Sequence, residues 1–288
     1  MIAVVDAHVH FWDPTELHYP WLEELPSLDR PFRPSDYHAA AGREARAPID
    51  KLVVVEANCR PAEAEREVEF VERLAAREPR IAGIVAFADV AQGLGAGGSG
   101  LGQTLDVLAR SSRVKGIRHN IQGQQAGFCG QRAFVEGVRE VGRRGLTFDL
   151  CATHDQLAEV TDLVRQCPDT RFVLDHCGKP AIRNGGLDPW RAALARLAAH
   201  PNVWCKLSGL LTEADPVGWR EADLVPYAAA VVDCFGTERV MFGSDWPVLT
   251  LAGHYRDWYS FTDRFTAAWS AADRARFYAG NAMRAYRL

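Results

Sequence analysis

Two histidines, His8 and His10, close an apolar run that opens Ala3-Val4-Val5-Asp6-Ala7. Read as a strand, the run sends alternate side chains to one face, so both imidazoles leave it together. A histidine pair on a rigid strand suits metal ligation or proton transfer; it also occurs as plain packing. Further runs end in the same way. Leu52-Val53-Val54-Val55 leads to Glu56, and the fourth run leads to Arg118, His119 and Asn120. Val173-Leu174 leads to Asp175 and His176, the seventh run carries Lys206 and Ser208, and the eighth ends at Asp245. A polar residue at one strand end is ordinary, because strands must exit into water. Titratable groups at most of them point to a shared site.

The elements that would gather these groups alternate along the chain. Strand candidates span Val4–Phe11, Lys51–Ala57, Ile81–Val90, Val114–Ile121, Leu146–Cys151, Arg171–Cys177, Val203–Leu207 and Val240–Asp245. Between them, segments such as Ala62–Arg77 carry Val68, Val71 and Leu74 at helical spacing. Eight β/α units predict an α/β protein with a (β/α)8 TIM barrel, in which strand ends converge on one mouth. No composition break divides the chain, so residues 1–288 read as one domain with a C-terminal helical extension. A long loop follows the first strand, Trp12 to Pro48. Its aromatics, among them Trp21, make it a lid or a packed cap. Gly93–Gly102 matches G-x-G-x-x-G by richness in glycine alone. The acid expected about 20 residues on is missing, so it reads as a flexible linker.

Composition narrows the function classes. The 288 residues are 48% hydrophobic and 24% charged, with a formal net charge of -4 and both signs interspersed. No basic face for nucleic acid emerges, and no apolar run reaches membrane-spanning length. Seven scattered cysteines without C-x-x-C argue against a disulfide framework, and a reducing cytoplasm is the expected setting. The oligomeric state is left open, and the expected partner is a small-molecule substrate.

His8-x-His10, His176 and Asp245, each at a strand end, resemble the amidohydrolase superfamily. Trp21-Leu22, Gly116-Ile117-Arg118-His119, Leu174-Asp175-His176-Cys177-Gly178-Lys179-Pro180, Gly243-Ser244-Asp245-Trp246-Pro247 and Gly280-Asn281-Ala282 resemble its sugar-lactonase-like branch. The resemblance implies hydrolysis of an aldonolactone, such as the lactone of a 6-deoxy sugar (fuconolactone or rhamnonolactone), to the aldonic acid. Many metal-dependent members carry a further histidine at the end of the fifth strand; here that strand ends Asp149-Leu150-Cys151, and His154 falls beyond it. The expected cofactor is one divalent cation, zinc first, held by His8, His10 and Asp245 with Glu56 or His176. Metal-independent catalysis is equally compatible with these residue types.

Lactone hydrolysis needs a nucleophilic water, a polarised carbonyl and a proton for the departing oxygen. Asp245 is the expected general base, its pKa raised by burial. His8, His10 and His176 either polarise the carbonyl or hold a cation that does. Arg118 and His119 are candidates to orient the substrate, and strand alternation allows only one of them to face inward. Trp21, Lys206 and Trp246 are expected to line the pocket, and Asp6 and Asp175 to orient imidazoles. Two rival readings remain: a metal-dependent decarboxylase of an unsaturated or aromatic acid on the same barrel, and a non-catalytic binding barrel.

Overall fold

The computed structural model describes residues 3–42, 49–94 and 100–288. Eight parallel strands are hydrogen-bonded in sequence order: β1 (Val4–Val9), β2 (Ile49–Val55), β3 (Ile81–Phe87), β4 (Val114–Arg118), β5 (Thr147–Leu150), β6 (Arg171–Leu174), β7 (Val203–Leu207) and β8 (Val240–Phe242). Backbone bonds from Asp245 N–H to the His8 carbonyl (2.9 Å) and from His10 N–H to the Trp246 carbonyl (2.8 Å) join the segment just past β8 to the end of β1. The expected (β/α)8 barrel is the observed one. Each predicted strand is present, and all but β7 end earlier than expected because the functional residues leave the ladder.

Two cores explain the apolar pattern. Val5, Ala7, Val53, Val55, Val85, Val173 and Met241 form one cluster. Residues of strands this far apart in the sheet meet only inside the barrel, so these fill its interior. The alternating set, including Leu52, Val54, Ile84, Ile117, Phe148 and Leu174, packs outward against the helices. The helix Ala64–Ala75 contributes Val68 and Val71 to that layer, as its spacing predicts.

The helical extension is also observed, in Tyr255–Phe265, Ala271–Ala275 and Asn281–Tyr286. Ala282, Ala285 and Tyr286 join the interior cluster and plug the barrel floor. Asn281 fastens this helix by donating side-chain hydrogen bonds to the carbonyls of Val240 (2.7 Å) and Thr237 (2.9 Å).

The loop after β1 is a packed cap with structure of its own, a 3-10 turn at Pro20–Glu24 and a helix at Pro34–Ala41. Trp12 and Phe32 exchange two backbone hydrogen bonds, and Phe32, Tyr37 and Phe11 pack edge-on against Trp246. Its residues 43–48, and residues 95–99 of the glycine-rich segment, lie outside the described residues. All seven cysteines are free. Among the described residues, no helix is long and apolar enough to cross a membrane.

Candidate active site

A bulge in β1 aims the histidine pair. Val5 and Ala7 face the interior, which would send His8 outward, yet the register with β2 shifts between Asp6 and Val9. The extra residue changes the phase, so His8 and His10 both face the barrel mouth. His176 and Asp245 reach the same point from left-handed backbone, with φ of 50° and 62°. His176 opens a run of four such residues through Cys177, Gly178 and Lys179. Left-handed backbone costs a side-chain-bearing residue of order 1 kcal/mol, so surrounding contacts must hold it. Trp190 donates to the Cys177 carbonyl (2.8 Å), and Gly209 lies so close to His176 that a Cβ there would sit 2.7 Å from its Cβ.

The four side chains converge. His8 Nε2 and His10 Nε2 are 3.0 Å apart. Asp245 Oδ1 lies 3.7 Å from the first, 3.5 Å from the second and 3.8 Å from His176 Nε2. The far nitrogens are all engaged: His10 Nδ1 with the Val55 carbonyl (2.9 Å), His176 Nδ1 with Ser208 Oγ (2.9 Å) and His8 Nδ1 with the Lys206 ammonium (3.1 Å). A carbonyl only accepts, so His10 donates through Nδ1–H and leaves Nε2 facing its neighbours. His8, His10 and Asp245 crowd on one point, and with the His8 proton on Nδ1 against Asp175 Oδ1 (3.3 Å) they form a donor set that fits a divalent cation.

Burial lowers two of the imidazoles, His176 and His8. It pushes His176 down to about 4, and with the Lys206 charge it holds His8 well below the usual histidine range. Asp245 departs from expectation. Burial works to raise its carboxyl, but His176, His10 and His8 outweigh burial and hold it below the ordinary aspartate range. It is therefore a firm carboxylate.

An open cavity of about 420 Å³ lies over this cluster. His10, His176, Asp245 and Arg118 line it, as do Trp21, Cys151 and Lys179. Asn58, Asn120 and Gln122 add amides, and Leu25 and Val248 an apolar edge. Cys151 occupies the fifth-strand position. His154 sits at the rim, its ring 3.2 Å from the Lys179 carbonyl. Of the strand-end candidates, Arg118 is the inward member of its pair. Its Nε donates to Glu56 (2.5 Å), Nη2 to the Glu56 carbonyl (2.6 Å) and Nη1 to Asp175 (3.2 Å).

Several expected placements do not hold. His119 faces away from the cavity and packs among Phe87, Phe128 and Phe134, because β4 alternates. Lys206 is fully buried beneath the floor, 2.7 Å from Asp149 and 2.8 Å from Asp175. It braces His8 from behind instead of touching the cavity. Trp246 is buried under the cap. Glu56 stands outside the cation donor set, its carboxylate taken by Arg118 and the Asn58 N–H (2.7 Å). Asp6 clamps backbone and cap instead of an imidazole ring, accepting from Ser244 N–H (2.8 Å), Tyr37 (3.0 Å) and Tyr255 (3.3 Å).

Asn120 is legible at its strand end, but residue type does not single out Asn58, Gln122 or Lys179. Asn58 announces itself only through a left-handed φ of 52° after β2. Lys179 follows a histidine in a run that reads as a loop, and nothing local to the sequence shows where its side chain goes.

Known proteins are similar to this chain over nearly its whole length. An L-fucono-1,5-lactonase of Burkholderia ambifaria is 32% identical over 99% of this chain and 95% of its own length. Another, from Burkholderia multivorans, is 33% identical over 99% of this chain and 96% of its own. A crystal structure of a Burkholderia multivorans amidohydrolase with bound zinc superposes with a TM-score of 0.86 at 34% identity, covering 99% of both chains. The family model described as amidohydrolase matches residues 5–288, and the chain belongs to that family.

Proposed function

We propose that this protein hydrolyses a sugar-derived lactone to its aldonic acid, with a 6-deoxy aldonolactone as the leading substrate. The observation that carries the reading is the meeting of His8, His10, His176 and Asp245 beneath an open cavity lined by neutral hydrogen-bonding side chains. Asn58, Asn120 and Gln122 suit hydroxyls, Trp21 offers a ring face, and Leu25 and Val248 suit a methyl group. Arg118 gives three of its five donors to Glu56 and Asp175, whose carboxylates balance its charge. That leaves Lys179, among the described residues, as the lining cation without a hydrogen-bonded carboxylate, too little charge for a dicarboxylate, and a neutral lactone fits the cavity better. The L-fucono-1,5-lactonases at 32% and 33% identity support the same reading.

Asp245, a carboxylate at neutral pH, takes a proton from the attacking water as the oxygen bonds to the lactone carbonyl carbon. His8, His10 and His176, with Asp245, would hold one zinc ion. Bound there, zinc acts as a Lewis acid toward water and carbonyl. Lys206 and Ser208 keep two of the imidazoles in place. The decarboxylase reading draws no support from β5, where Cys151 stands at the mouth in place of a histidine.

Turnover of a panel of aldonolactones, read as acid release, tests the proposal. Hydrolysis of 1,5- and 1,4-lactones of 6-deoxy sugars is the expected result. A folded, zinc-loaded protein that opens no member of the panel overturns it.

A further inference from the structure

We infer that Lys179 is a catalytic residue whose ammonium donates a hydrogen bond to the ring oxygen of the lactone as the carbon–oxygen bond breaks. The inference rests on the lactonase reading above and adds a partner for the departing oxygen.

The backbone carries the first part of the argument. His176, Cys177, Gly178 and Lys179 run left-handed in succession, with φ of 50°, 56°, 68° and 45°. Left-handed conformations come singly and favour glycine, yet three of these four residues bear side chains. The surroundings enforce the turn. Lys179 N–H donates to the His176 carbonyl (2.8 Å), the His154 ring holds the Lys179 carbonyl, and Gly178 has no room for a Cβ, which would lie 2.8 Å from Leu157. One strained turn thus delivers two side chains to one cavity, His176 beside Asp245 and Lys179 to the wall. A turn needed only for His176 would end more comfortably on glycine. Strain retained at a side-chain-bearing position points to use of the side chain.

Charge carries the second part. Arg118 is closed by Glu56 and Asp175, and Lys206 lies under the floor between Asp149 and Asp175. Among the described residues lining the cavity, Lys179 is the cation whose charge is not consumed by a hydrogen-bonded carboxylate. Its acidic neighbour, Glu213, stands 3.9 Å away, beyond hydrogen-bond length, and keeps the ammonium at the wall.

The step balances without any proton leaving Lys179. The water oxygen bonds to the carbonyl carbon and one water proton passes to Asp245. The ring carbon–oxygen bond then breaks, its electron pair going to the ring oxygen. That oxygen, negative as it departs, is met by the Lys179 ammonium and takes the proton held by Asp245. The carboxylic acid product loses its remaining proton to solvent.

Lys179→Met, Lys179→Arg and Lys179→Gly, assayed on whichever aldonolactone the parent enzyme cleaves best, test the role. The glycine variant relieves the left-handed strain, so its Tm should equal or exceed the parent's and a catalytic loss in it is not misfolding. Expected are a loss of about 100-fold in kcat for Met and Gly, KM within threefold, and a rate for Arg at least tenfold above Met. A Met or Gly variant within fivefold of parental kcat overturns the inference, as does an Arg variant no better than Met. A parent enzyme inert on every lactone overturns the lactonase reading itself; an active parent matched by its Lys179 variants overturns only the role of Lys179.

Discussion

Tyr286, on the helix that plugs the barrel floor, donates a 2.6 Å hydrogen bond to the buried carboxylate of Asp149. Asp149 in turn receives the Lys206 ammonium at 2.7 Å, and Lys206 reaches His8. The far end of the chain and the first strand's histidine thus share one buried network. Burial opposes the Lys206 charge, and Asp149 and Asp175 outweigh it and keep the ammonium. Tyr286→Phe removes one of the two donors to this buried carboxylate oxygen, leaving Lys206. Chemical denaturation should show a loss of about 1–3 kcal/mol. A change under 0.5 kcal/mol would mean that the network closes without the phenol.

Cation removal gives the second prediction. With His8, His10 and Asp245 crowded on one point, the site is stabler when a cation fills it. Zinc at 100 times its Kd should add about 2.7 kcal/mol and raise Tm relative to chelated protein. His10→Ala should abolish most of that shift in calorimetry. An equal zinc shift in the variant would place the ion elsewhere.

Asp245→Asn keeps the shape of the cavity and removes the proton acceptor. The expected loss in kcat is about 10²–10⁴-fold on the preferred lactone, with little change in KM. Stopped assays with the purified variant decide it, and retention of even a tenth of the parental rate would assign the base elsewhere.

Glu67 carries a pH dependence remote from the donor set. Burial lifts its carboxyl to about 8, with the Glu56 charge adding to the rise. Its Oε1 accepts from Ala57 N–H at 3.0 Å. A carboxyl whose folded pKa is raised stabilises the fold fully below its unfolded value near 4.5, and that contribution is lost as pH climbs through 8. Tm should therefore decline between about pH 5 and pH 8. Glu67→Gln should flatten that decline and be the stabler protein at pH 8, by about 2–4 °C for each kcal/mol relieved. Parallel Tm profiles for the two proteins would contradict the assignment.

Much of this architecture is legible in residue order. Period and composition are local properties, so Leu52-Val53-Val54-Val55 and Val68, Val71 and Leu74 declare a buried strand and an amphipathic helix without further context. Eight such units imply a barrel, and a barrel places strand ends at one mouth. A barrel mouth is where His8, His10, His176 and Asp245 must then meet.

Direction is what residue order could not supply. Lys206 sits on the inner face of β7 but one layer below the mouth, and Lys179, outside every strand, is swung into the wall by four left-handed residues. The β1 bulge, the closure of Arg118 by Glu56 and the descent of Asp245 below the usual aspartate range all depend on neighbours distant in sequence. Residue types and their spacing determined the barrel and the chemistry available at its mouth. Packing across strands alone decided which charges face the cavity and which serve as its foundation, because a side chain's exposure and its electrostatic partners are properties of the assembled barrel.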